Sequence, residues 1–242
     1  MVFNIIKIRK SDDRFLSRRD WLHSMHSFSF AEHRDPKWDN FGNIRVINED
    51  IISPNSGFNM HSHSDMEIIT VVTKGAITHR DSLNNLGKIY EDEVQVMSAG
   101  TGITHSEKNE ENKPCKLFQI WIYPKKSNLK PVYKQKSFKN DIGENLIIDY
   151  LDEKNKFLIN QDISLWRCKY KPIKEKKLPL KIDKYNWIQI IEGNLLLKSK
   201  DSNSYICLES GDGLGFEVNY YDDVSINTEK ELDFLLFSMP SL

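Results

Sequence analysis

Short apolar and β-branched runs, broken by Gly, Asn, Asp and Pro, recur along the whole chain, and long runs with a 3.6-residue apolar period are hard to find. That pattern predicts an all-β sandwich or barrel. Met66–Thr73 (MEIITVVT) reads as a strand, Lys74-Gly75 as a turn and Ala76–Arg80 as the returning strand. Asp81–Gly87 (DSLNNLG) has loop chemistry, Tyr90–Met97 alternates again, and Ser98–Gly102 (SAGTG) is a second turn. Cys115–Tyr123 (CKLFQIWIY) reads as a buried strand stopped by Pro124.

The second half repeats the plan. Trp187–Glu192 is a strand, Gly193 a turn, Asn194–Lys198 a return, Leu208–Gly215 a Gly-rich turn, and Asp233–Ser238 a strand stopped, after Met239, by Pro240. Gly75 to Gly193 spans 118 residues and Pro124 to Pro240 spans 116. Two landmarks with nearly one offset predict a duplicated domain. The expected division is 1–130 and 131–242, with the polar, Lys- and Pro-containing stretch near 125–145 as the connection.

Composition changes this picture little. The chain has 242 residues, 39% hydrophobic and 29% charged, enough apolar material for a sizeable core. A formal net charge of −1 offers no electrostatic reason to bind nucleic acid or an anionic membrane directly. No apolar window is long enough for a membrane span, and the first ten residues lack signal-peptide features. Cys115, Cys168 and Cys207 are too few and scattered for a disulfide framework and are expected to be buried thiols in a reducing cytoplasm. The segment Lys169–Lys181, with six lysines and one glutamate, reads as a solvated loop or edge strand.

The histidines carry the candidate chemistry. All seven lie at or before residue 105, so any histidine-based metal site belongs to the first half. His61 and His63 form an H-x-H pair and His105 and Glu107 an H-x-E pair. In a strand, residues i and i+2 share a face, about 7 Å apart. If the two strands face a common barrel interior, three imidazoles and one carboxylate converge. That donor set suits a borderline divalent transition metal and does not suit calcium or magnesium.

These residues resemble the motifs of the pirin family within the cupin superfamily. The first cupin motif is matched by Gly57, His61, His63, Glu67 and Gly75, and the second by His105 and Asn109. More specific to pirins are HSHSDME (61–67), SAGTGITHSE (98–107) and the LFQIW strand (117–121). Trp21–Phe30 and Arg45–Asn48 also match, and the likeness is strong over 9–138 and fainter beyond. It implies a bicupin: two jelly-roll β-barrel domains packed together, with one metal per chain in the first. It implies ligands His61, His63, His105 and Glu107, with Glu107 rather than Glu67 as the fourth. Iron stands foremost among the metals, with copper, nickel, cobalt, manganese and zinc as alternatives.

The bacterial members imply quercetin 2,3-dioxygenase activity. A flavonol would bind through its 3-hydroxyl, Glu107 would take the proton, and dioxygen would cleave the ring with release of carbon monoxide. The competing reading is a non-catalytic, metal- and redox-dependent regulator with a protein partner. Monomer and dimer are equally open. His23, His26 and His33 read as polar residues satisfied in a loop over the barrel, with lining of the pocket as the alternative, and His79 as a surface strand residue. No phosphate loop or serine or cysteine nucleophile motif is present.

Overall fold

A computed structural model describes residues 3–138, 142–149, 157, 159–180, 183–199, 205–218 and 224–241. The regular structure in these residues is β-strand, apart from two one-turn 3-10 helices at Ser11–Asp13 and Pro36–Trp38. No helix among the described residues is long and apolar enough to cross a membrane. The chain divides into two compact units, and the boundary is not a single cut. The N-terminal barrel is Phe15–Lys139 with Ile159–Gln161; the C-terminal barrel takes Met1–Arg14, Asn140–Leu158 and Asp162–Leu242.

The first strand, β1 (Phe3–Arg9), therefore belongs to the C-terminal barrel. The N-terminal barrel follows with β2 (Phe15–Arg19), β3 (Leu22–His26), β4 (Ile44–Ile52), β5 (Ser56–His63), β6 (Glu67–Lys74) and β7 (Ala76–Asp81), then β8 (Leu86–Tyr90), β9 (Glu93–Ser98), β10 (Ile103–Asn109), β11 (Cys115–Ile122) and β12 (Val132–Ser137). These make a seven-stranded sheet in the order β12-β9-β6-β11-β4-β3-β2 and a four-stranded sheet in the order β5-β10-β7-β8. The sheets face each other across an apolar cluster: Leu22, Ile52, Val72, Cys115 and Leu117 from one meet Ile77 and Ile89 from the other.

The C-terminal barrel continues with β13 (Gly143–Ile148), β14 (Ser164–Tyr170), β15 (Ile173–Lys177), β16 (Lys184–Glu192), β17 (Asn194–Ser199), β18 (Tyr205–Glu209), β19 (Gly213–Val218), β20 (Val224–Thr228) and β21 (Leu232–Pro240). Its sheets are ordered β1-β19-β16-β21-β14-β13 and β15-β20-β17-β18. Strand for strand, β3, β4, β5, β6, β7, β8, β9, β10 and β11 correspond to β13 through β21 in the same neighbour order. The edge that β12 provides in one barrel is provided by β1 in the other. The duplication legible in the Gly75 and Gly193 turns is thus a duplication of topology.

Three details depart from the sequence reading. The polar stretch at 125–145 contains a strand, β12, whose Lys134 and Lys136 lie on a sheet edge, where lysine discourages further pairing. Gly213–Gly215 lies inside β19 rather than in a turn, because a side chain at Gly213 would strike the Trp187 ring that packs on that backbone. Cys115 and Cys168 are buried as expected, but Cys207 is exposed on β18. The lysine-rich segment does form an edge strand, β15.

Candidate metal centre

The four-stranded sheet presents the chemistry inward. His105 pairs directly with His61 across β10 and β5, and Ile103 pairs with His63. Between His105 and Glu107 the register shifts, because β5 runs from Phe58 to His61 over the span that β10 covers from Glu107 to His105. This bulge, with Met60 turned out to solvent, re-aims β5 so that His61 and His63 follow His105. Gly57 holds the other end: its φ of +151° and its closeness to the Glu107 carbonyl leave no room for a side chain.

Three imidazoles converge. Ring centroids are 4.4 Å apart for His61 and His105, 4.9 Å for His61 and His63, and 5.0 Å for His63 and His105. One ring nitrogen from each lies within 4.8 Å of the others. The tautomers follow from the hydrogen bonds. His61 Nδ1 sits 2.7 Å from the Asn59 carbonyl, which can only accept, so Nε2 keeps the lone pair. His79 Nε2 donates to Asp81 Oδ2 at 3.0 Å, so its Nδ1 accepts from His105 Nδ1 at 3.4 Å. His105 Nε2 is then a bare lone pair, buried and without a hydrogen-bond partner. A buried unpaired nitrogen is costly unless a ligand completes it, and its place among three imidazoles fits a metal ion. Burial and the neighbouring imidazoles push the His105 pKa down to about 3 and that of His63 down to about 4, so both stay neutral, the form that ligates.

Glu107 belongs to an overlapping group. Its carboxylate lies within 4.8 Å of ring nitrogens of His105 and His79. From the seven-stranded sheet it receives Gln119 Nε2 at 2.7 Å, Thr70 Oγ1 at 3.1 Å and Gln95 Nε2 at 3.2 Å. These donors stand in one cross-strand row: His26 faces Asn48, Asn48 faces Gln119, Gln119 faces Thr70 and Thr70 faces Gln95. A carboxylate only 2% exposed requires such donors if it is to remain charged.

Glu67 points the other way. Thr70 reaches Glu107, so the even-numbered positions of β6 face the site and Glu67 the opposite surface, where Ser98 donates to it at 2.7 Å. Asn109 holds the end of β10, donating to the carbonyls of Ile52, Ser53 and Lys113.

Two expectations need correction. His79 is fully buried rather than on the surface: the inward face of β7 stacks it on Tyr133 at 4.5 Å and ties it to Asp81. Asp81 in turn accepts from Leu83 N, Asn85 N and Asn85 Nδ2, so a fixed carboxylate anchors an Asp81–His79–His105 chain. His23 and His26 lie in β3 rather than in a loop, and His26 is buried and lines the cavity, with Nδ1 2.8 Å from Asn48 Oδ1 and Nε2 2.9 Å from Ser17 Oγ. Gln119 falls within the LFQIW stretch, whereas Gln95, Thr70 and Asp50 belong to no motif and were detectable in sequence only as polar residues inside apolar strands.

The three histidines and Glu107 open on a cavity of about 220 Å³, lined by Leu22, Phe30, Phe58, Ile68 and Trp121 on its apolar side and by Ser24, His26, Asn48 and Asp50 on its polar side.

Comparison with known proteins agrees with this architecture. The Pirin family model matches residues 9–122, and the model for the quercetinase C-terminal cupin domain matches 146–239. A quercetin 2,3-dioxygenase of Escherichia coli strain K12 is 34% identical over 239 residues, covering 98% of this chain and 99% of that protein. A pirin-like protein of Caulobacter vibrioides is 52% identical over 118 residues, 49% of this chain and 51% of its own length. The crystal structure of the bacterial pirin YhhW from Escherichia coli in complex with nickel(II) superposes with a TM-score of 0.87 at 33% identity, covering 98% of this chain and 99% of that one. With the paired barrels, the H-x-H strand and the family matches in agreement, the chain belongs to the pirin family of two-cupin proteins.

Proposed function

We propose that this protein is a metal-dependent dioxygenase of the quercetinase type, opening a flavonol such as quercetin with dioxygen. The observation that carries this is the buried, unpaired Nε2 of His105 among three imidazoles at the wall of a cavity of about 220 Å³. The name and full-length similarity of the Escherichia coli relative support it. His61, His63, His105 and Glu107 would hold one divalent transition metal, iron foremost. When bound, the metal supplies Lewis acidity toward a substrate hydroxyl and the redox capacity that dioxygen chemistry needs.

The chain's own residues do the rest. Glu107 is the base that takes the substrate hydroxyl proton, a role its hydrogen bonds support. Thr70 Oγ1 lies 3.1 Å from Glu107 Oε1 and 3.2 Å from Gln119 Oε1, so its hydroxyl can turn to Gln119 and free a lone pair on Glu107. Gln119 Nε2 stays on Oε2 and keeps the carboxyl in place. Trp121, edge-on to His63 at 4.9 Å, with Phe58 and Ile68, keeps that end of the cavity apolar. At about 220 Å³ the cavity falls below the ~300–1,000 Å³ typical of drug-sized ligand sites. It encloses the chelating ring of a flavonol, and the remaining rings extend through the mouth past the exposed Arg19 and Ala31.

The test is quercetin absorbance followed with protein loaded separately with iron, copper, nickel or cobalt, in air and under nitrogen. Oxygen-dependent loss of the flavonol band with at least one metal is expected. No such loss with any of the four overturns the reading.

A further inference from the structure

We propose that the β3–β4 wall of the cavity is a substrate-anchoring subsite, in which the Asp50 carboxyl hydrogen-bonds an oxygen of a single-ring hydroxy-ketone and turns dicarboxylates away. This rests on reading the cavity as the dioxygenase site.

The metal centre does not account for every polar group on the cavity wall. Gln119, Thr70 and Gln95 are accounted for by Glu107, whereas Ser24, His26, Asn48 and Asp50 line the cavity and hydrogen-bond among themselves. Their burial is nearly complete: Ser24, Asp50 and His26 are 2% exposed and Asn48 is 3%. Asp50 Oδ1 accepts from the Ser24 hydroxyl, and Ser24 Oγ lies 3.3 Å from His26 Nδ1. Among the described residues the Asp50 side chain is engaged at Oδ1 by Ser24, and the carboxyl lies on the cavity wall.

The second barrel is an internal control on whether folding needs this polarity. In matching register, His26, Asn48 and Asp50 correspond to Leu146, Trp166 and Cys168. Trp166 and Cys168 lie in the apolar core of that barrel and the partly buried Leu146 packs against it. Ser24 instead corresponds to Glu144, a carboxylate that accepts from Tyr170. The fold is therefore built without polar groups at three of the four positions, and the three polar groups that replace them beside a cavity have a ligand to meet.

Charge sets the class of ligand. The cavity carries two buried carboxyls, Asp50 and Glu107, and its one permanent cation, Arg19, is exposed. Burial raises the Asp50 pKa to about 7, with Glu107 and Glu49 adding to the rise, so the group is readily protonated and can donate as well as accept. An uncharged ring with a hydroxyl beside a carbonyl suits both carboxyls and the ~220 Å³ volume, whereas a dicarboxylate offers no hydroxyl to donate and brings two negative charges beside Glu107 and beside Asp50 whenever Asp50 is ionised.

The experiment is calorimetric binding of maltol, a single-ring hydroxy-ketone, and of oxalate to nickel(II)-loaded protein without turnover. Wild type should prefer maltol. Asp50→Val should keep its nickel content and lose tenfold or more in maltol affinity. Asp50→Asn should retain maltol within about threefold and gain at least fivefold in oxalate affinity, a result that also stands alone should the valine variant not fold. Unchanged maltol affinity in Asp50→Val, or no gain in oxalate affinity in Asp50→Asn, overturns the subsite. Because binding is read without oxygen, its failure is separable from that of the dioxygenase reading: quercetin loss with Asp50-independent maltol binding sinks the subsite alone, and the converse sinks the dioxygenase alone.

Discussion

Across the larger sheet of the N-terminal barrel, one row of cross-strand neighbours reads His26, Asn48, Gln119, Thr70, Gln95. The matching row of the C-terminal barrel reads Leu146, Trp166, Leu236, Ile188, Leu214. On the smaller sheet, His105 and Glu107 fall where the second barrel has Val224 and Ile226, and His79 and Asp81 fall at Leu197 and Ser199. Two copies of one topology thus differ along one contiguous inward surface. In one it is a hydrogen-bonded polar lining around a buried carboxylate and three histidines; in the other it is largely apolar core. The polar version costs desolvation at every position, offset where its members bond one another and Glu107: His26 with Asn48, Thr70 with Gln119 and Gln95, and all three of these with the Glu107 carboxylate. The apolar version is what the fold adopts when only packing is at stake.

The comparison breaks most completely at the proposed metal ligands. His61→Ala or His105→Ala should abolish metal binding to the first barrel while leaving the second barrel's core intact, as read by metal analysis of the purified variants beside circular dichroism. Full metal content in either variant would overturn the assignment. A smaller but still large effect is expected from carrying polarity into the other copy. Leu236→Gln places in the second barrel the residue type that Gln119 supplies in the first, without a carboxylate to receive it. Its unpaired amide should cost about 3 kcal/mol in denaturant unfolding, and a change under about 0.5 kcal/mol would show that the second core has partners for polar groups. The mildest effect sharpens the picture within the first barrel. His79→Ala removes the link from Asp81 to His105 and should weaken metal affinity by roughly 10–100-fold, with stoichiometry still one. Competition with a chromogenic chelator measures it, and an unchanged affinity would mean that His105 is oriented by packing alone.

Much of this was legible in one dimension. The Gly75 and Gly193 turns carried the duplication, since a hairpin between two apolar strands needs a residue free to take positive φ, and both glycines do, at 80° and 91°. The H-x-H and H-x-E spacings placed their side chains in pairs, because strand geometry alternates with period 2. The hidden part was everything that depends on register between distant strands. Nothing local to His79 marks it as inward, because its burial comes from pairing with Glu107 on β10 and from Tyr133 of β12. Val132–Ser137 looked like linker because an edge strand needs few apolar residues. The exchange of β1 into the C-terminal barrel leaves no local mark at all, since its partner β19 lies some two hundred residues away.

Sequence by itself thus determined the all-β class, the repeat and the confinement of the histidines to the first copy, and it set His61 with His63 and His105 with Glu107 on common strand faces, each through a periodicity or spacing that the backbone converts directly into direction. Tertiary structure alone decided which side of β6 the site occupies, and so why Glu107 rather than Glu67 joins the cluster. It also joined Asp81 and His79 to His105 and set Asp50 on the cavity wall. Those contacts join strands by cross-strand register and sheet-on-sheet packing, and neither is encoded in any short window of residues.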